Sequence, residues 1–133
     1  MVRRLIFLDT SFIVALVNNS DDRHNKAVKL ASKIQNEEKI VSNIVIIEVL
    51  NILRKFKDGK LNKEVFRIIK DNFQIYLEDM GVYDDALNIQ LRYKGKLGFS
   101  DSIMITIMKR MNIVKIASYD RHFDGKEGIV RIH

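Results

Sequence analysis

Cysteine is missing from this sequence, and so is proline. Without cysteine there is neither a disulfide framework nor a thiolate metal site, and nothing in the fold depends on an oxidising compartment. Long apolar runs are missing too. The nearest approach is MVRR followed by an apolar run, which imitates a secretory leader, but Asp9, Thr10 and Ser11 interrupt it. No small-residue cleavage site follows, and the run is too short to span a bilayer. A cytoplasmic location without membrane association is therefore expected. There is no repeat, low-complexity segment or linker, and a chain of 133 residues that is 47% hydrophobic has enough apolar material for one core and not two. The expectation is one domain spanning residues 1–133. The formal charge is +6, spread along the chain, which favours polyanionic partners without naming one.

The hydrophobic pattern switches repeatedly between short apolar runs and helical spacing. RLIFL reads as a strand buried on both faces. Thr10 or Ser11 offers a cap to a helix that Phe12 to Val17 begins. From Asp21, the set His24, Ala27, Ala31 and Ile34 marks an amphipathic helix with Lys26, Lys29 and Lys33 outward, and His24 on the inner face reads as a structural histidine. KIVS is a second strand, and Ser42 or Asn43 caps a helix reaching about Lys57, ended by the turn DGK. Leu61, Val65, Ile68, Ile69 and Phe73 define another helix, followed by QIYLE as a strand. Val82, Ala86, Ile89 and Tyr93 define the next, with Asp84 and Asp85 in its first turn. After KGKLG a helix runs from Ser100 to about Asn112, then VKIAS and IVRI read as strands. Strands alternating with helices predict an α/β domain with a mostly parallel central sheet flanked by helices.

Four acids stand out against this pattern. Asp9 follows the first strand, at the carboxyl edge where open α/β sheets bind ligands. Its ordinary explanation is capping, but Thr10 and Ser11 already supply capping oxygens. Glu48 lies within SNIVIIEVLNIL, where its helical neighbours Ile44, Val45, Asn51 and Ile52 offer no cation, so it needs a metal ion or a distant Lys or Arg. Asp101 opens the helix in FSDSIMIT, where an acid is also ordinary compensation of the helix dipole. Asp120 follows VKIAS, again at a carboxyl strand edge and near Ser118. Four carboxylates in one pocket repel and raise one another's pKa unless a positive ion joins them. Mg²⁺ or Mn²⁺, with their preference for oxygen ligands, suits such a set. Zinc suits it poorly where cysteine is absent and histidine peripheral.

The succession LDTS, SNIVIIEVL, FSDSIMIT and SYDRHF resembles the PIN domain, and within it the VapC-type toxins of toxin–antitoxin pairs. The likeness covers essentially the whole chain, except that residues 58–80 carry no signature. It implies a three-layer sandwich, a Mg²⁺- or Mn²⁺-dependent endoribonuclease, an RNA substrate, a small antitoxin partner and a homodimer. It also implies an acidic metal site made of Asp9, Glu48, Asp101 and Asp120, accompanied by Thr10 and Ser118. Ser118 stands where the family often has threonine, keeping the hydroxyl and losing a methyl. Asp124, in HFDGKEG, reads as a turn residue outside the site.

Cations must then hold the RNA backbone around an acidic pocket, and Arg92, Lys94, Lys96 and Arg121 flank two of the motifs. Solvated surface is the competing explanation for each. Tyr93, Phe99 and Tyr119 offer rings for base stacking, although such aromatics usually belong to a core. His122 reads as exposed, with phosphate contact as its other role. A haloacid-dehalogenase-type phosphotransferase is disfavoured, because it needs an aspartate where Ser11 stands. Two further alternatives remain: a stand-alone PIN nuclease of RNA maturation and a PIN-like binding module without catalysis. Compact length favours the toxin.

Overall fold

The computed structural model describes residues 4–133. Its strands are β1 (Leu5–Leu8), β2 (Glu38–Ser42), β3 (Gln74–Tyr76), β4 (Lys115–Ala117) and β5 (Val130–Ile132). They form one sheet in the order β3-β2-β1-β4-β5, and every pairing is parallel. The helices are α1 (Thr10–Val17), α2 (His24–Lys33), α3 (Asn43–Leu53), α4 (Leu61–Asn72), α5 (Met80–Arg92) and α6 (Phe99–Arg110). Helix α1 packs on α2 and α3, and α3 packs on α4, while α5 packs on α6. Parallel connections are right-handed, so reversing direction from β1–β2–β3 to β4–β5 puts these two helical sets on opposite faces of the sheet. The three-layer arrangement read from the sequence is thus observed. No helix is long and apolar enough to cross a membrane among the described residues.

β1 is the hub of this arrangement. Ile6, Phe7 and Leu8 have no exposed surface, as expected for a central strand covered on both faces. Each such side chain contributes roughly 1.5–3 kcal/mol by leaving water. β1 pairs with β2 on one side and β4 on the other, and Asp9 extends the ladder by donating its N–H to the Ala117 carbonyl at 3.0 Å. Chain direction diverges between β1 and β4, so a crevice opens there at the carboxyl ends of the strands.

Three local expectations differ from the structure. The helix expected to reach Lys57 ends at Leu53, and a 3₁₀ turn at Lys57–Gly59 follows. Lys57, Asp58 and Gly59 all have positive φ there, a conformation that a continuing helix cannot contain. Asp84 and Asp85 are not in the first turn of α5, because that helix begins at Met80. Asp79 caps it instead, its Oδ1 accepting from the Val82 N–H at 3.0 Å, while Asp85 pairs with Arg110 at 2.8 Å. Nor do Thr10 and Ser11 cap α1: Asp9 occupies the cap position without a side-chain cap bond, and the two hydroxyls are used elsewhere.

The segment between β4 and β5 is pinned by one carboxylate. Glu127, with a side chain 8% exposed, pairs with Arg92 of α5 and with Lys109 of α6 at 2.8 Å, and accepts from the Tyr93 hydroxyl at 2.6 Å. The Lys109 and Tyr93 bonds, with help from Arg92, hold its carboxyl down at about 2. A carboxylate with a lowered folded-state pKa stabilises the fold above its unfolded pKa, and that contribution disappears as pH falls through the folded value. Acid unfolding of the wild type and Glu127→Gln should therefore diverge most above about pH 4.5 and converge near pH 2. A constant difference across that window would show that the carboxylate charge is not what holds the segment.

Candidate functional site

The crevice between β1 and β4 contains the acids. Asp9, Thr10, Ser11, Glu48, Asp101 and Asp120 all line one pocket of about 240 Å³, with Asp21 and Arg23 at its edge. These residues come from four separated stretches of chain. Asp9 arrives from the end of β1, Glu48 from the middle of α3, Asp101 from the first turn of α6, and Asp120 from the segment after β4. The convergence expected from the sequence is observed. None of the four acids forms an ion pair with a lysine or arginine among the described residues.

Asp9 is only 4% exposed and is held by hydroxyls. Its Oδ2 accepts from Ser118 Oγ at 2.6 Å and from Ser11 Oγ at 3.0 Å. Ser118 is itself fully buried, and its Oγ also accepts from the Asp120 backbone N–H at 2.9 Å. Ser11 Oγ accepts in turn from the Tyr119 backbone N–H at 3.0 Å. A small lattice of hydroxyls thus ties the end of β1 to the segment after β4. Burial raises the Asp9 carboxyl above its usual range; the Ser118 and Ser11 bonds and the Thr10 N–H oppose this, and the Asp120 charge adds to it.

Glu48 is half-buried. Helix α3 buries Val45, Val49 and Leu53 and leaves Ile47 52% and Ile52 43% exposed, so an apolar sequence does not mean an enclosed helix. Glu48 sits at the pocket margin and accepts from Thr10 Oγ1 at 2.9 Å. Its partner is a hydroxyl of the same site, and among the described residues no distant lysine or arginine pairs with it.

Asp101 and Asp120 form the tightest part of the cluster, together with His122. Among the described residues, one donor atom from each of these three can be chosen so that all lie within 4.8 Å of one another. His122 Nδ1 stands 3.0 Å from Asp120 Oδ1 and 3.5 Å from Asp101 Oδ2. Burial, then the Asp120 and Asp9 charges, push the Asp101 carboxyl up to about 6, with His122 opposing. Carboxylate oxygens with no lysine or arginine partner among the described residues, plus one imidazole, are a donor set that fits a divalent ion. The sequence reading of His122 as an exposed residue holds for most of its ring, which is 65% exposed, but misses this proximity.

Other residues fall as follows. His24 is structural, its Nδ1 2.8 Å from the Ala15 carbonyl. Asp124 lies outside the site, engaged by Arg131 at 2.8 and 3.2 Å. Lys94, Lys96 and Arg121 are exposed, whereas Arg92 is occupied by Glu127. Tyr93 donates to Glu127 and Phe99 packs near Tyr83, with ring centroids 6.0 Å apart. Arg23, which the sequence did not single out, reaches the pocket edge with its guanidinium 5.4 Å from the Tyr119 ring centre. Only the folded chain brings Arg23 and Tyr119 together.

A parallel sheet wound in both directions, with four carboxylates converging at its switch point, defines an α/β domain that carries an acidic site suited to a metal ion. The family model of the PIN domain matches residues 6–128, and the chain belongs to that family. No curated protein sequence matches the chain. Among solved structures it is similar to Mycobacterium tuberculosis VapC20, described as a sarcin–ricin loop cleaving toxin, at 23% identity and TM-score 0.84 over 94% of this chain and 96% of that one. It is similar to a toxin–antitoxin complex from Klebsiella pneumoniae at 20% identity and TM-score 0.72, over 94% and 95% of the two chains. It is also similar to VapBC2 of Rickettsia felis bound to a promoter DNA fragment, at 17% identity and TM-score 0.72, over 96% and 97%. At these identities the likeness is one of fold.

The Asp101 carboxyl provides a measurement that needs no substrate. A raised acid favours folding below its unfolded pKa, near 3.8, and that contribution is lost as pH rises through about 6. In chelator, the wild type should lose thermal stability relative to Asp101→Asn between about pH 4 and pH 7. Added Mn²⁺ should restore the wild type alone. Parallel melting curves for the two proteins over this range would contradict the crowding of charge described above.

Proposed function

We propose that this chain is a metal-dependent endoribonuclease that hydrolyses RNA phosphodiester bonds, and that it is the toxin of a VapBC-type pair. The observation that carries the reading is the meeting of Asp9, Glu48, Asp101 and Asp120 in one pocket with no lysine or arginine among the described residues paired to any of them. Asp9, Asp101 and Asp120 would hold Mg²⁺ or Mn²⁺, with Glu48 as a further ligand or orienting the metal's water. A divalent ion at such a site supplies Lewis acidity at phosphate and lowers the pKa of bound water.

The chain's own residues do the rest. Ser118 and Ser11 fix Asp9, and Thr10 fixes Glu48, so that the carboxylates are oriented before substrate arrives. Arg23, which lines the pocket with its guanidinium over Tyr119, offers donors to a phosphate, and the exposed Lys94, Lys96 and Arg121 are the further cations we assign to RNA contact. Arg92 contributes less, because Glu127 already engages it. The net charge of +6 suits a polyanionic substrate despite the acidic pocket.

The similarity in fold to a toxin described as cleaving the sarcin–ricin loop favours RNA as the substrate class. Similarity to VapBC and toxin–antitoxin complexes supports an antitoxin partner, and we extend the reading to a homodimer in the cytoplasm. A stand-alone maturation nuclease would share the chemistry without the antitoxin.

The test is incubation of the purified chain with total RNA in Mn²⁺, Mg²⁺ or chelator, followed by mapping of the new ends. Asp9→Asn and Asp101→Asn should each reduce cleavage by about 100-fold or more, and Ser118→Ala by about tenfold, with unfolding curves showing that each variant remains folded. Metal-independent cleavage, or full activity in both asparagine variants, would reject the nuclease site. Absence of both cleavage and Mn²⁺ binding would favour a binding module.

A further inference from the structure

We propose that His122 is a direct ligand of the metal held by Asp101 and Asp120, and that its imidazole shifts the site's preference from Mg²⁺ toward Mn²⁺. This rests on the metal site proposed above and adds a nitrogen ligand to a set otherwise made of carboxylates.

The placement of His122 is set by its backbone. Arg121–Phe123 forms a single 3₁₀ turn, entered through Asp120, whose Oδ1 accepts from the His122 N–H at 2.8 Å. Phe123 is fully buried and anchors the turn in the core, while Lys126 Nζ donates to the His122 carbonyl at 2.5 Å. With its main chain held at both ends, the ring lies over the acids. Its Nδ1 is 3.0 Å from Asp120 Oδ1 and 3.5 Å from Asp101 Oδ2.

Packing does not account for this position, since the side chain is 65% exposed. The three donor atoms lie within 4.8 Å of one another, and the 3.0 and 3.5 Å approaches of Nδ1 to the two carboxylate oxygens are near the roughly 3 Å between adjacent ligands of one small octahedral divalent ion. Adding an imidazole changes the ion preferred. Carboxylate and water suit Mg²⁺ and Mn²⁺ alike, but Mg²⁺ is the harder ion, dehydrates reluctantly, and gains less from nitrogen.

The experiment uses the full chain loaded with Mn²⁺. Pulsed electron paramagnetic resonance reads nitrogen-14 coupling to the ion in the wild type and in His122→Gln. Calorimetry gives Mn²⁺ and Mg²⁺ affinities for these two proteins, for His122→Ala and for Asp101→Asn. The expected result is nitrogen coupling in the wild type that vanishes in His122→Gln, although His24 and His133 remain. Mn²⁺ affinity should fall by about tenfold or more in both His122 variants, with a much smaller change for Mg²⁺. Because the ring is exposed, thermal unfolding should show both variants to be folded.

Coupling absent from the wild type, or Mn²⁺ affinity unchanged in both His122 variants, would overturn the proposal and leave His122 as a counter-ion to the acids. Equal losses for the two ions would overturn the selectivity. The two readings fail separately: loss of Mn²⁺ binding in Asp101→Asn with none in His122→Gln removes only the histidine ligand. Undiminished binding in Asp101→Asn removes the metal site itself.

Discussion

Repulsion among carboxylates at the end of the central strand is the constraint around which this molecule is organised. Asp9 follows three fully buried residues of β1, so it cannot move away from the site without pulling the middle strand out of register. Its burial raises its pKa, and Ser118 and Ser11 are placed to oppose that shift. Glu48 arrives on the helix that follows β2, Asp101 on the helix that precedes β4, and Asp120 on the segment that follows β4. The protein thus tolerates an arrangement that is unfavourable by itself, and the cation proposed above would offset that cost.

The scaffold explains how such an arrangement is held. The hydroxyls of Thr10, Ser11 and Ser118 make short bonds between segments far apart in sequence, and each bond fixes a carboxylate or the backbone beside one. On the far side of β4, Glu127 ties the segment after Asp120 to α5 and α6 through Arg92, Tyr93 and Lys109. That segment carries Asp120 and His122. A surface ion pair is usually worth little, but one carboxylate gathering three partners on two helices restrains a loop that lacks regular structure for most of its length.

Much of this was legible in the sequence, and the exceptions have physical causes. Period switching placed the five strands and six α-helices of the described residues, because a buried parallel strand and an amphipathic helix leave different apolar patterns. The acids were legible for a different reason: Asp9 and Glu48 interrupt apolar runs where a charge is costly. Exposure was harder to read. Nothing in SNIVIIEVLNIL distinguishes Val45 and Val49, which are buried, from Ile47 and Ile52, which face outward. Asp79 was missed as a cap because Met80 and Gly81 do not announce a helix start. Arg23 was missed as a lining residue of the pocket, and His122 as a neighbour of Asp101, because these placements depend on turns whose direction local pattern does not encode. His122 is close in sequence to Asp120, but its approach to Asp101 exists only in the folded chain.

The most direct test of the central claim is anomalous diffraction from crystals grown with Mn²⁺ and recorded near the manganese absorption edge. The expected result is an anomalous peak in the pocket between β1 and β4, within coordination distance of carboxylate oxygens from Asp101 and Asp120, and absent from crystals grown in chelator. A peak located elsewhere, or an empty pocket in which lysine or arginine side chains neutralise the four acids, would contradict the account.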